Sequence, residues 1–289
     1  MRSYSYESPK SFEELFAIIK DASNEVKFLA GGSDFVPRLS FELNQIPKEG
    51  QKNLMIISLA NLDLNSISEN DAEVNIGSTA TFTEILENKI IKREFPVLIE
   101  TIKEIAGLTV RNIASMGGNI MNASPAADSV PTLMALDAVF VLKGPNGERK
   151  VEVKDFFKGP GKTVADTLEV LTEIVLKKGK GNASFKKLGR RKAETLSVVN
   201  AAAYIEKENN ICKAARIAVG SVAPTVLRCK EVEDALIGKE LTEENMRVAS
   251  EMLINEISPI DDIRATAWYR NKVAPVMVRR AIEAAVNAE

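Results

Sequence analysis

The sequence predicts an α+β protein in two parts, and three observations carry that expectation. Residues 1–176 alternate helix signals with strand signals, residues 183–219 hold three apolar runs of strand length, and residues 232–285 read as helices. The stretch Lys177-Lys178-Gly179-Lys180-Gly181-Asn182 interrupts the apolar pattern. The chain therefore divides into residues 1–178 and 179–289, with a further split of the first part near residue 54. At 289 residues it can bury one large core or two modest ones.

In order, Ser11-Phe12-Glu13-Glu14 reads as a capping box, in which the serine and the glutamate each satisfy an orphan amide. Phe12, Leu15, Phe16 and Ile19 then recur at helical spacing, so a helix to about Ala22 is expected. Val26 to Ala30 follows as a strand. Asp34 with Pro37 marks a helix or turn start, and Leu54 to Leu59 is a buried-strand run. Glu73 to Ser78 is a strand, and Thr81-Phe82-Thr83-Glu84 a second capping box. Pro96 opens a helix over Val97 to Ile105, and Pro131 to Leu136 a further one. Ala138 to Leu142, the turn Gly144-Pro145-Asn146-Gly147, and Glu148 to Val153 make a hairpin, and Leu168 to Leu176 is a strand. Beyond the boundary, Ala183 to Leu188, Leu196 to Ile205 and Ile211 to Val219 give three strands. Val232 to Ile237, Glu243 to Ile254 and Ala265 to Ala285 give helices, the last expected to kink at Pro275.

Two glycine pairs in matching polar settings stand out: Ala30-Gly31-Gly32-Ser33-Asp34 and Ser115-Met116-Gly117-Gly118-Asn119. Paired glycines let the backbone turn sharply and approach a ligand with unshielded amides. Either pair alone is an ordinary turn; together they suggest two loops gripping one pyrophosphate, as in a dinucleotide site. The chain has no histidine, which excludes histidine-based nucleophilic triads and imidazole metal sites. Cys212 and Cys229 are too few for a four-thiolate cluster. No residue is proposed as catalytic, so any redox chemistry falls to a bound organic cofactor. The 38 basic and 40 acidic residues nearly cancel, which offers no global field for nucleic acid. The first residues lack a signal-peptide core, and no segment reaches the roughly 18 apolar residues of a membrane span. A cytoplasmic protein is expected.

Five segments in this order, Leu29-Ala30-Gly31-Gly32-Ser33-Asp34, Ile76-Gly77-Ser78, Arg111 through Asn119, Ser124-Pro125-Ala126-Ala127-Asp128 and Asp261-Asp262-Ile263-Arg264-Ala265, resemble the FAD-binding medium subunit of the molybdenum hydroxylases. That family includes the flavin subunits of bacterial xanthine, carbon monoxide and nicotinate dehydrogenases. The resemblance implies a PCMH-type FAD-binding domain of two α/β subdomains, then a C-terminal domain of a three-stranded antiparallel sheet with helices. It implies that Lys27, Phe28, Leu29, Ala30, Gly31, Gly32, Ser33 and Asp34 lie along the FAD pyrophosphate and ribityl chain, with the amides of Gly31, Gly32 and Ser33 as donors. Ser115, Met116, Gly117, Gly118 and Asn119 would form the opposing loop. Asp128 matches a position that bonds polar groups of the cofactor, with a plain helix cap as the alternative. Leu171 matches a leucine against the cofactor and Ile105 an apolar position near the adenine, with core packing as the alternative for both. Lys187 matches a lysine near the flavin ring, though Lys186 beside it fits as well. The basic run Lys177 to Lys192 is a solvated face, a docking surface or a nucleic-acid patch.

Ser33 stands where relatives often carry threonine, and Met116 where isoleucine or tyrosine is common; neither removes a backbone donor. The cysteine-bearing insertion of the 4-hydroxybenzoyl-CoA reductase branch is absent. With no histidine to link it, FAD is expected to be held non-covalently. The resemblance further implies a large molybdopterin-binding subunit and a small [2Fe-2S] subunit as partners, the three forming a dimer of heterotrimers. In such a complex, electrons pass from the clusters through this FAD to NAD or another acceptor. Phe156 to Lys162 resembles the xanthine dehydrogenase group, which favours that type. A carbon monoxide or nicotinate dehydrogenase subunit, a self-sufficient flavin oxidase and a flavin-free assembly subunit are the alternatives.

Overall fold

The computed structural model describes residues 3–20, 24–43 and 53–288. The first unit runs β1 (Tyr4–Glu7), α1 (Phe12–Lys20), β2 (Glu25–Leu29), α2 (Phe35–Leu43) and β3 (Leu54–Ser58). Its strands pair in parallel in the order β1-β3-β2, with Leu54 opposite both Tyr4 and Glu25. The N-terminal capping box forms by half: the Glu14 amide donates to Ser11 Oγ at 3.2 Å, but the Glu14 carboxylate accepts from the amide of Lys10. The expected end of α1 at Ala22 lies outside the described residues. Leu15, Ile19, Ile57 and Leu59 form the small core of this unit.

The second unit contains β4 (Ile67–Glu69), β5 (Glu73–Gly77), α3 (Phe82–Glu87), α4 (Lys89–Glu94), α5 (Pro96–Lys103), α6 (Leu108–Arg111), α7 (Met116–Met121), α8 (Ser129–Ala135), β6 (Val139–Gly144) and β7 (Gly147–Glu152). It closes with α9 (Val153–Phe156), β8 (Phe157–Gly159), β9 (Lys162–Thr163) and β10 (Val170–Lys177). Five strands pair antiparallel in the order β4-β5-β10-β6-β7. Here the Thr81 capping box is complete, the Glu84 amide donating to Thr81 Oγ1 and the Thr81 amide to Glu84 Oε2.

The C-terminal unit is β11 (Asn182–Gly189), β12 (Ser197–Glu208), β13 (Ile211–Gly220) and β14 (Leu227–Arg228), then α10 (Lys230–Leu236), α11 (Glu243–Glu251), a short 3₁₀ turn and α12 (Ala267–Asn287). Its sheet has four strands where three were expected. The fourth, β14, pairs only Leu227 and Arg228 with Val219 and Ala218, too short to leave an alternating pattern in the sequence. The helix α12 runs through Pro275 as one element.

Both faces of this sheet are covered. Ala201, Ala203 and Ile205 of β12 join the core under α10–α12, whereas Ala202 and Tyr204 join the core of the second unit, together with Phe185, Ala218 and Val226. Two-sided burial explains why β12 reads as a continuous apolar run. Cys212 and Cys229 are both unpaired and buried. Burial pushes the Cys212 thiol up to about 11 and the Cys229 thiol well above its usual range.

The segment 260–266 is locked by Asp262. Its carboxylate accepts from the amide and guanidinium of Arg264 and, at 2.7 Å, from Arg270, whose side chain is almost wholly buried. Burial pushes the Asp262 carboxyl up, but the bonds from Arg264 and Arg270 outweigh it and hold the group well below the usual carboxylate range.

Asp262→Asn strands the Arg270 charge and is expected to lower the unfolding free energy by about 3 kcal/mol. Because the folded-state pKa is depressed, the gap between wild type and variant should be full at neutral pH. It should shrink as pH falls below about 4, where the unfolded carboxyl takes up its proton. Urea unfolding of both proteins across that range checks the size and the sign. A second expectation follows from the shared core: residues 1–178 alone leave uncovered the surface that Phe185, Ala202 and Tyr204 bury, and should bind a hydrophobic dye and aggregate. A soluble, monodisperse fragment on gel filtration would contradict it.

Candidate functional site

A cleft of about 760 Å³ opens between the loop after β2, helix α7 and the segment from β8 to the start of β10. That volume lies in the upper part of the range, roughly 300–1,000 Å³, that accommodates cofactors. Lys27, Phe28, Leu29, Ala30, Gly31, Gly32, Ser33 and Asp34 all line it, and so do Ser115, Gly117, Gly118, Asn119 and Leu171. The two glycine pairs, 86 residues apart in sequence, thus share one cavity. Ile105, Met116, Asp128 and Lys187 are not among its lining residues.

The loops meet by backbone contact. A Cβ on Gly31 would sit 1.6 Å from the carbonyl oxygen of Ile113, so only glycine permits the approach. Gly32 adopts φ +71°, the left-handed turn that lets its carbonyl accept from the Val36 amide and open α2. Among the described residues the amides of Gly31, Gly32 and Ser33 have no hydrogen-bond partner, which leaves three donors at the cleft wall.

The second pair is arranged differently from the expected donor loop. Ser115 caps α7, its Oγ accepting from the Gly118 amide at 3.1 Å, while the Met116 amide donates to Ala80 O and the Gly117 amide to Ser78 O. A Cβ on Gly117 would press on Ser78 at 2.6 Å. Gly117 therefore serves close packing, Gly118 is left exposed at the cleft, and the amides of both are spent on the fold. Met116 is accordingly fully buried. What α7 offers the cavity is polar side-chain surface: Asn119, whose Oδ1 accepts from Ser129 Oγ at 2.6 Å, and Asn122.

Arg111 braces the turn that precedes the contact of Ile113 with Gly31. Its guanidinium donates to the carbonyls of Ile105 and Ala106 at 2.8 Å each, holding the turn after α5, where Ala106 takes φ +46°. Ile105 itself packs in the core.

Asp128 occupies the N-cap position of α8 but caps nothing with its side chain. Its carboxylate instead accepts from Lys187 Nζ at 2.7 Å, Asn200 Nδ2 at 2.7 Å and Ser197 Oγ at 2.5 Å. Lys187 also donates to Glu104 O, and its side chain is 4 % exposed. Lys186, by contrast, pairs with Glu100 at 2.7 Å. Both lysines thus tie β11 to the second unit.

Sequence reasoning gave no role to several lining groups. Ser78, quoted only as part of the segment Ile76-Gly77-Ser78, is the clearest: its Oγ is buried without a partner at the cavity wall. Lys158, Lys162, Asp166 and Glu169 line the far side. The Arg149 guanidinium beside Glu169 holds that carboxyl below its usual range. The pyrophosphate fit is good on these grounds: a backbone cradle that a Cβ would fill, three free amides, and one orphaned hydroxyl.

Residues 2–176 match the family described as "FAD binding domain in molybdopterin dehydrogenase", and residues 183–285 match "CO dehydrogenase flavoprotein C-terminal domain". The chain is similar to the carbon monoxide dehydrogenase medium chain of Hydrogenophaga pseudoflava, 33% identical over 98% of this chain and 96% of that one. It is similar also to the xanthine dehydrogenase FAD-binding subunit of Escherichia coli O157:H7, at 31% over 94% of each chain. A solved carbon monoxide dehydrogenase from Hydrogenophaga pseudoflava superimposes with a TM-score of 0.91, at 31% identity over 98% of this chain and 97% of that one.

Gly31→Ala should force the two loops apart and cost about 2 kcal/mol of stability. Gly118→Ala meets only the Ser115 hydroxyl at 2.9 Å, with no backbone in the way, and should cost less. Thermal unfolding of the two variants side by side tests that order.

Proposed function

The chain belongs to the FAD-binding subunits of the molybdenum hydroxylases, and we propose that it is the electron-relay flavoprotein of a three-component complex. A molybdopterin-binding large subunit and a [2Fe-2S] small subunit are its partners in this reading, assembled as a dimer of heterotrimers. Bound FAD would supply the redox chemistry, taking up electrons from the clusters and giving them to an acceptor such as NAD.

The observation that carries the reading is the junction of Gly31 with Ile113, beside a cleft that both glycine pairs line and at which three amides are unused. Gly31, Gly32 and Ser33 would donate to the diphosphate, and Ser78 Oγ supplies a further hydrogen bond. Phe28, Leu29 and Leu171 cover the apolar parts of the cofactor and exclude water. Asp128 and Lys187 act one layer behind, fixing the C-terminal sheet against α8 rather than touching the cleft. Residues 1–178 form the FAD-binding domain and 179–289 the C-terminal domain. With no histidine to form a histidyl link, and neither cysteine lining the cleft, retention is non-covalent in this reading.

Identity to a carbon monoxide dehydrogenase subunit and to a xanthine dehydrogenase subunit is nearly equal. The sequence preference for the xanthine type, drawn from Phe156 to Lys162, is therefore not retained, and the substrate is assigned to the large subunit. Among the described residues no helix is long and apolar enough to cross a membrane. Two buried, unpaired thiols suit a reducing compartment, and we place the complex in the cytoplasm.

The purified chain should be yellow, take up one FAD per chain after removal of flavin, and bleach with dithionite. Gly31→Ala should lose that flavin. A wild-type chain that stays colourless and cannot be reconstituted with FAD would replace this reading with that of a flavin-free assembly subunit.

A further inference from the structure

The far wall of the cleft carries charge that the fold does not use. Most of the charged side chains lining the cavity are already paired: Asp34 with Arg38 at 3.0 Å, Lys27 with Glu25 at 3.1 Å, and Glu169 with Arg149 at 2.7 Å. Lys158, Lys162 and Asp166 make no ion pair among the described residues. Two unmatched cations thus stand against one unmatched carboxylate.

Both lysines belong to the small hairpin of β8 and β9, and the hairpin is anchored firmly. Phe156, fully buried, packs edge-on against Phe140 at 4.8 Å, and its carbonyl accepts from the Val164 amide at 2.9 Å. At the tip, Gly161 adopts φ +69° and donates its amide to the carbonyl of Ala123, just beyond α7. The backbone is therefore pinned beside the second glycine pair, while the two lysine side chains are left exposed. A rigid tip with two free ammonium groups is suited to an anion held between it and the opposite amides.

We propose that Lys158 and Lys162 are the counter-charges to the diphosphate of the bound dinucleotide, closing from the hairpin side the cradle that Gly31, Gly32 and Ser33 form from the other. The inference rests on the reading of the cleft as the FAD site and goes beyond it by assigning which side chains balance the two negative charges. It makes the hairpin a determinant of selectivity: a flavin that carries the diphosphate is favoured over the same ring without phosphates. Lysine suits the task as a compact point charge on a flexible stem, which can follow the phosphates without a fixed geometry.

The test uses the full chain freed of flavin, with Lys158→Ala, Lys162→Ala, the double alanine variant and the double arginine variant. FAD and riboflavin are titrated by fluorescence at low salt and at about 0.5 M salt, where the Debye length is only a few ångströms. Each alanine should weaken FAD about tenfold and the pair about a hundredfold. Riboflavin affinity should not change, the salt dependence of FAD binding should flatten in the double alanine variant, and arginine should restore both. Wild-type affinity and salt dependence in the double alanine variant would overturn the assignment of the lysines while leaving the FAD site standing. Equal weakening of FAD and riboflavin would overturn it too, since the hairpin would then act only through structure. A wild-type chain that binds neither flavin would remove the FAD reading itself, and the inference with it.

Discussion

The molecule is organised around a place where two backbones touch with nothing between them. Gly31 lies so near the Ile113 carbonyl that no side-chain carbon fits, and this contact fixes the first unit against the second. Each side of the contact has its own support. On one side, the parallel pairing of β2 with β3 and the Leu59 amide on Leu29 O hold the strand that delivers Gly31. On the other, Arg111 gathers the carbonyls at the end of α5 and directs the chain into Ile113. A cleft with unshielded amides is what remains where these two supports meet.

The C-terminal unit is joined to this arrangement by polar as well as apolar contact. The segment from Pro125 to Asp137 lies against the sheet and is held along its length. The Ser221 amide bonds Pro125 O, Asn200 and Lys187 bond Asp128, Arg216 bonds Ala135 O, and Arg216 and Arg228 both reach Asp137. Removing charges from water is costly, and Asp128 meets that cost with three donors on its two oxygens. Since Ser129 is bonded to Asn119 in the cleft, the sheet and the cavity wall are linked through two adjacent residues.

Much of this was legible in the sequence because it is local. The capping box at Thr81, the proline that opens α5, and the glycine pairs announce themselves within a few residues. The shared cavity was an inference from two such signals, and the cleft does contain both. Strands of two to four residues, β1, β4, β8, β9 and β14, carry too few positions to show a period. The role of the second glycine pair was hidden for another reason: Ser115 turns it into a helix, and no sequence rule says that the amides will be spent on Ser78 and Ala80. Asp128 and Lys187, 59 residues apart, each looked like a ligand for something; that each is the other's partner is a fact of tertiary packing.

The burial of Cys212 and Cys229 has a consequence for a protein that handles electrons in the presence of air. Reduced flavin that meets dioxygen releases peroxide, and peroxide attacks a cysteine as its thiolate. Both sulfurs here lie under the C-terminal helices, protonated at any cellular pH. The chain carries no other thiol and no imidazole, which leaves its eight methionine thioethers as the sulfur that peroxide can still oxidise.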